Sequence, residues 1–419
     1  MISKFSCHNF RNIQADNLEF EQTNILIGPN NSGKSNFIKA ITFFSDMLRN
    51  EQQDGNLKSS FLNALSRNGW GHILNKQAQS STPIEFSWDI DLYGKPVSYK
   101  FAFTVGDSLQ DCNITLEELN DTSKSENYTQ QFNFFRCHDE KIGMGKFSTA
   151  VEKGHKNKRI QFHVNEKETI VSQFKDILLA NKNIYVNDYV RTDIAPLLYD
   201  LRKYFEGFSV YTSAKFNTEK MRQPVAIKSV DDYLSSDISN FVNVFNFYKS
   251  TDLRWQSLFE ENMKELIPTL EKADSVVAYD KMIFKMIYND LQYALSDVSE
   301  GTLKGLVLNM LINMPMRQEQ SLLAIDEPET NLHPAWQKVI GLWLQRSKIV
   351  KQCFISTHSP DFLDTFTDGF KHGNVAVFVF SEYHGIRKIT YEDIKDDLDE
   401  WELGDLYRTN DPALGGWPW

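Results

Sequence analysis

Near the start of the chain, Gly28-Pro29-Asn30-Asn31-Ser32-Gly33-Lys34-Ser35 has the residue types and spacing of a phosphate cradle. Gly28 and Gly33 let the backbone curl so that successive N–H groups face phosphate oxygens. Lys34 can reach the β- and γ-phosphates of a nucleoside triphosphate, and the Ser35 hydroxyl can complete a magnesium shell. Far along the chain, Leu322-Leu-Ala-Ile-Asp326-Glu327 is an apolar run closed by two adjacent carboxylates. Side chains alternate along a strand, so the two acids serve different partners. Asp326 suits the water shell of a magnesium ion, and Glu327 suits the general base that polarises an attacking water. A third run, Cys353-Phe-Ile-Ser-Thr-His358, ends in a histidine. Parallel topology would bring it to the same sheet edge as Asp326, where His358 can hydrogen-bond the γ-phosphate or the water.

The elements that must position these groups are legible from hydrophobic period. Leu18–Phe20 and Asn24–Ile27 are short β-type runs, the second apolar enough for a strand buried on both faces. The phosphate loop follows, and Lys34, Ser35 and Asn36 open a helix whose Phe37, Ile38, Ile41, Phe44 and Leu48 recur at three- and four-residue steps. The helix start adds its partial positive charge to the loop. From Pro83 to Val105 the alternation predicts an antiparallel sheet. The stretch from Leu116 to Ile170 is undecided. Helical character returns at Leu197–Phe205 and at Leu258–Leu270, and from Leu291 to Phe380 helices alternate with apolar strands, as in a parallel sheet covered by helices.

The 419 residues, 41% hydrophobic, are enough for a sizeable core and exclude a mainly disordered chain. A net charge of −11 excludes a generally basic nucleic-acid coat but leaves room for a local basic groove. No apolar run approaches the ~20 residues that cross a bilayer. The opening residues lack a signal core, and Cys7, Cys112, Cys137 and Cys353 have no metal or disulfide spacing. The expectation is a cytoplasmic protein with reduced thiols and no membrane partner.

Four segments in one order carry a resemblance: Gly28–Ser35, Ser299-Glu-Gly-Thr302, Ile325-Asp-Glu-Pro-Glu329 and Ser356-Thr-His358. Together they resemble an ABC-type ATPase, within the branch of RecF, the SMC heads and the OLD-family ATPases. Asn9-Phe-Arg-Asn12 is similar to the opening strand turn of that branch. The resemblance implies an α/β fold: an ABC-ATPase head built of a P-loop parallel sheet with helices and an antiparallel β subdomain, carrying an α+β insertion. It implies a head lobe over residues 1–54, a β segment and insertion over 55–285, a second head lobe over 286–385 and a tail over 386–419. It implies ATP and Mg2+ as ligands, with Arg11 near the phosphates. Ser299, Gly301 and Thr302 would form a signature segment capping the γ-phosphate held by another copy. On spacing alone, Ser299 is an ordinary helix N-cap. The glutamine that senses magnesium in such ATPases is not assignable among Gln77, Gln79, Gln130 and Gln131.

The leading functional expectation is therefore a hydrolase whose ATP-sandwiched heads form a homodimer or higher oligomer. Pairing would switch a separate effector protein, or engagement of DNA or RNA, in anti-phage defence or DNA maintenance. The alternative is a nucleotide-gated nuclease of the OLD type. The stretch after Phe380 is shorter than a Toprim nuclease domain, and Asp89-Ile-Asp91 has suitable spacing without a matching glutamate. A transporter subunit is a third reading, opposed by the Ser299–Thr302 and Asn9–Asn12 segments. The basic cluster Lys153, His155, Lys156, Lys158 and Arg159 is either a phosphate contact or a solvated loop. The aromatic tail, Trp401–Tyr407 and Leu414–Trp419, is either a docking segment or folded back.

Overall fold

A computed structural model describes residues 1–49, 59–123, 132–138, 141–148, 159–181, 184, 187–212, 215–228, 230–316, 319–381 and 385–415. The basic cluster, as regards 153–158 and the Arg159 side chain, lies outside the described residues, as do Gln130, Gln131 and the final 416–419. The chain opens with strands β1 (Ile2–Phe10), β2 (Ile13–Glu19) and β3 (Thr23–Ile27), followed by helix α1 (Lys34–Arg49). Two compact units share it. One comprises Met1–Phe20, Asn30–Phe208 and Glu382–Ile386, and the other comprises Glu21–Pro29, Ser209–Ser381 and Arg387–Trp419.

The first unit is built on an eight-stranded sheet in the order β2-β1-β4-β5-β6-β7-β8-β9. Its remaining elements are α2 (Ser60–Arg67), β4 (Ile84–Leu92), β5 (Lys95–Thr104), β6 (Asn113–Asp121), β7 (Phe132–Cys137), β8 (Met144–Ser148), β9 (Arg159–His163), α3 (Ile170–Ala180) and α4 (Ala195–Glu206). The alternation in β4 buries Ile84, Phe86, Trp88, Ile90 and Leu92, as the period-two pattern predicts. The predicted stripe of α1 is likewise buried at Phe37, Ile38, Ile41, Phe44 and Leu48. Helix and sheet meet through rings: Phe43 stacks on Phe86 with centroids 5.4 Å apart, and Phe5 meets Phe37 edge-on at 5.8 Å. The Trp88 indole also needs a polar partner, and donates to the Ile41 carbonyl at 3.1 Å. The undecided stretch proves to be β6–β9, which widens this sheet. β1 escapes the sequence pattern because register shifts flank Cys7 and break its alternation against β2.

The second unit carries β10 (Phe208–Thr212), β11 (Val225–Ala226), α5 (Phe241–Thr251), α6 (Leu253–Met263), β12 (Leu270–Ala278), β13 (Lys281–Tyr288), β14 (Leu291–Ala294), α7 (Glu300–Asn313), β15 (Leu322–Asp326), α8 (Pro334–Arg346), β16 (Cys353–Ser356), β17 (Val375–Ser381) and β18 (Gly385–Ile389). Its main sheet runs β10-β15-β16-β3-β17-β18, with β15/β16, β16/β3 and β3/β17 parallel. All five residues of β3 are buried, as expected of a central parallel strand. Leu303 to Ile312 of α7 are buried all round, so this helix lies inside the core and has no solvent stripe. The helical reading at Leu258–Leu270 needs correction. The helix starts earlier, where the Asp252 side chain accepts from the Arg254 N–H, and ends at Met263, while Leu270 opens β12. Pro268 keeps a helix from resuming before β12, since it disfavours helix at Ile267, the residue before it. All four cysteines are buried and none is in a disulfide. Among the described residues no helix is long and apolar enough to cross a membrane.

Candidate nucleotide site

The phosphate loop is shaped by its glycines. Gly28 leaves β3 with φ 137°, and a Cβ there would stand 2.3 Å from the Phe380 carbonyl oxygen, so no other residue fits. Asn31 and Gly33 also take positive φ, 68° and 112°. The Gly33 carbonyl accepts from the Phe37 N–H at 2.8 Å, which makes Gly33 the entry to α1. The first turn of α1 holds no acidic residue, so its positive pole is not neutralised from within the helix. Lys34 is buried, Asn30 and Asn31 lie on the loop surface, and the buried Ser32 hydroxyl has no hydrogen-bond partner among the described residues. A buried hydroxyl without a partner among those residues, on a loop that opens a helix, fits an oxyanion such as a phosphate.

Asn12 braces this loop, a role not legible in the sequence. Its Nδ2 donates to the Ser32 carbonyl at 3.4 Å and its Oδ1 accepts from Asn36 Nδ2 at 2.8 Å. In the Arg11 side chain a guanidinium N–H donates to the Asn68 carbonyl at 2.7 Å, and burial lowers the pKa of the group. Gln77 sits on an exposed turn, where its backbone N–H donates to the Asn75 side chain at 2.8 Å.

The carboxylates gather at one edge of the parallel sheet. Asp326 lies opposite Ser356, and Ser356 opposite Leu26, so the ends of β15, β16 and β3 line up. The Ser356 hydroxyl donates to the Asp326 carboxylate. Glu327 then leaves the strand with φ 53°, a left-handed conformation that costs a non-glycine residue about 1–3 kcal/mol. Its N–H is held by the Ser356 carbonyl at 3.1 Å and hydroxyl at 3.2 Å. One carboxylate oxygen lies 3.9 Å from His358 Nε2, and the other accepts from the Thr330 hydroxyl at 3.4 Å. The Glu327 side chain keeps 44% of its surface exposed and that of His358 32%, although His358 Nε2 itself is buried.

Two further residues complete this edge. Glu329 accepts from the His358 N–H at 2.8 Å, and burial raises its pKa. Lys304, buried in α7, donates to the carbonyls of Glu327 at 3.0 Å and Thr330 at 2.9 Å. Both residues fall inside sequence runs that drew notice, but only the tertiary register reveals what they touch. Ser299 caps α7, accepting from the Thr302 N–H at 3.2 Å. Glu300 accepts from Asn331 Nδ2 at 2.9 Å, and a Cβ on Gly301 would stand 2.8 Å from the Asn331 carbonyl oxygen. Thus Asp326, Glu327, His358 and the Ser299–Thr302 segment belong to one unit and are linked through residues 327–331. Asp89 and Asp91 lie on β4, where an Asp91 oxygen accepts from the Gly94 N–H at 2.6 Å. Among the described residues no three His, Cys, Asp or Glu side chains cluster as a metal site.

A strand–glycine loop–helix cradle and a strand ending in Asp-Glu at a parallel sheet edge define a P-loop domain of the ATPase type. Residues 23–364 match the family described as "AAA domain, putative AbiEii toxin, Type IV TA system", and the chain belongs to that family. The match agrees with the ATPase-type P-loop domain that the sequence resemblance implies. The chain is 22% identical over 370 residues to Endonuclease GajA of Bacillus cereus (strain VD045), with 86% of this chain and 56% of GajA covered. It is also 22% identical over 388 residues to the Retron Vc95 probable ATPase of Vibrio cholerae serotype O1 biovar El Tor, covering 87% of this chain and 71% of the relative. The chain therefore spans little more than half the length of GajA. Similar solved structures include an SMC head bound to the C-winged helix domain of ScpA (TM-score 0.49, 12% identity, 94% of this chain and 99% of that one). The SMC head domain from Thermotoga maritima is another (TM-score 0.41, 10% identity, 93% and 98%).

Proposed function

We propose that the chain binds ATP with Mg2+, hydrolyses it, and pairs with a second copy when ATP is bound, so that turnover times a partner effector or a nucleic-acid grip in phage defence. The observation that carries this reading is the Glu327 turn, a left-handed carboxylate locked by Ser356 next to His358. Gly28, Gly33 and the opening of α1 hold the phosphates, and Lys34 offsets their charge. By the family resemblance Ser35 and Asp326 would hold Mg2+, which would supply charge neutralisation to the phosphates. Glu327 takes a proton from water as its oxygen attacks the γ-phosphorus, the bond to the bridging oxygen breaks, and ADP leaves. His358 donates to the γ-phosphate or orients the water. The signature segment Ser299–Thr302 is assigned to the γ-phosphate of a second copy. Phage defence is what the sequence resemblance carried by Ser299–Thr302 and Asp326–Pro334 implies.

The test is a pair of variants. Lys34→Ala should weaken ATP binding by about 10–100-fold, the loss of one charge-assisted contact. Glu327→Gln should bind ATP normally and lose ~10²–10⁴-fold in turnover, the worth of a positioned base. Normal turnover by Glu327→Gln would remove the base assignment.

A further inference from the structure

We propose that Lys304 is a positioning residue for hydrolysis, a cationic clamp that sets the Glu327 turn and joins it to the helix carrying the Ser299–Thr302 segment. The inference rests on the assignment of Glu327 as base and adds a residue to it. Lys304 is the fifth residue of α7 and 6% exposed, so its cation is withdrawn from water. It reaches two carbonyls, those of Glu327 at 3.0 Å and Thr330 at 2.9 Å, and its ammonium lies 6.0 Å from the centre of the Phe216 ring. Those carbonyls bracket the one turn that must hold a left-handed glutamate, with a second left-handed residue, Asn331 (φ 63°), just beyond. The Thr330 N–H also donates to the Glu327 carbonyl, but at 3.3 Å, a long bond for closing a strained turn. A donor with three protons on a rigid core helix supplies what the backbone does not.

The burial has a chemical cost. Desolvation lowers the lysine's pKa to about 8, against the opposing fields of Glu329 and Glu327. A methionine would fill the same space without that cost, so the charge at this position has no packing rationale. The same helix is fixed to the same turn a second time, by Glu300 and Asn331 at 2.9 Å and by the contact of Gly301 with the Asn331 carbonyl. A displacement of the start of α7 therefore reaches the Glu327 backbone directly. An anion arriving at Ser299–Thr302 would act on the base of the same chain.

The experiment uses the full chain and four forms: wild type, Lys304→Met, Glu327→Gln and the double variant. Lys304→Met should keep the KM for ATP within about 2-fold while kcat falls ~10-fold or more, because the loss acts on chemistry and not on binding. In the Glu327→Gln background the same change should cost no further turnover, since Lys304 acts through Glu327. Lys304→Gln, whose shorter neutral amide reaches at most one of the carbonyls, is read in the same way should the methionine variant fail to fold. An unchanged kcat, or an equal extra loss in the Glu327→Gln background, overturns the clamp. If Glu327→Gln alone turns over normally, the base assignment has failed instead, so the two failures are distinguishable.

Discussion

At the scale of single residues, the site depends on side chains that hold other side chains. Ser356 is the clearest case, donating to Asp326 and accepting from the Glu327 N–H at 3.2 Å. Ser356→Ala removes both bonds from part-buried groups, each worth about 1 kcal/mol net. We expect kcat/KM for ATP to fall ~10-fold in steady-state assays, with thermal stability lowered only slightly; unchanged kinetics would show that the β16 backbone alone sets the two acids. Glycines at the loop, the Lys34–Ser35 pair and the Asp326–Glu327 doublet were all legible in the sequence because each is a local pattern. Ser356, Lys304 and Asn12 were not, because each acts on a residue distant in the chain and only strand register or helix placement brings them together.

At the scale of elements, close approach and buried charge decide two outcomes. Exchanging glycine for alanine inside a helix ordinarily stabilises by about 1 kcal/mol. Gly301→Ala should reverse that sign, because the added Cβ meets the Asn331 carbonyl oxygen at 2.8 Å and backbone cannot swing aside as a flexible side chain does. A lowered melting temperature is the expected reading, and a raised one would mean that the turn yields freely. In the first unit, Glu117 on β6 accepts from the Tyr99 hydroxyl at 2.9 Å and from the Ile170 N–H at 2.6 Å, joining β5 to the start of α3. Burial raises its pKa from 4.5 to about 7. The native state then holds a proton that the unfolded chain releases between these values, so stability falls as pH rises from about 4.5 to about 7 and changes no further above. The loss approaches roughly 3 kcal/mol, and Glu117→Gln should flatten the slope in urea unfolding at pH 5 and pH 8. An identical slope in both proteins would place the titration elsewhere.

The elements themselves were unevenly legible. β4 followed its period closely, whereas β5 also buries Ser98 and Ala102, and α1 buries Ala40, Thr42, Phe43, Ser45 and Met47 beyond its predicted stripe. β1 did not follow a period, because its register shifts cancel the alternation that marks a strand. The meander β12–β13–β14 was invisible for a different reason: its alternation is carried by Met282, Phe284 and Met286, set among lysines and isoleucines that do not separate cleanly into two faces. α7 lacks a polar face altogether, since the core surrounds it.

At the scale of the whole molecule, chain order and spatial grouping part company. Residues 21–29 join a unit composed mostly of residues beyond 208, and the phosphate loop begins in one unit and continues in the other. No sequence pattern announces such an exchange, because it depends on long-range strand pairing such as that of Leu26 with Ser356 and Phe378. The proposed pairing of two copies belongs to this scale, since the Ser299–Thr302 segment is assigned to a phosphate that its own chain does not hold. The most direct test is the particle mass of Glu327→Gln, by light scattering with and without ATP and magnesium. The mass should double when ATP is added and stay single for Lys34→Ala, while wild-type turnover per molecule rises with protein concentration. A mass that stays at one chain with ATP bound, together with turnover unchanged on dilution, would contradict the account.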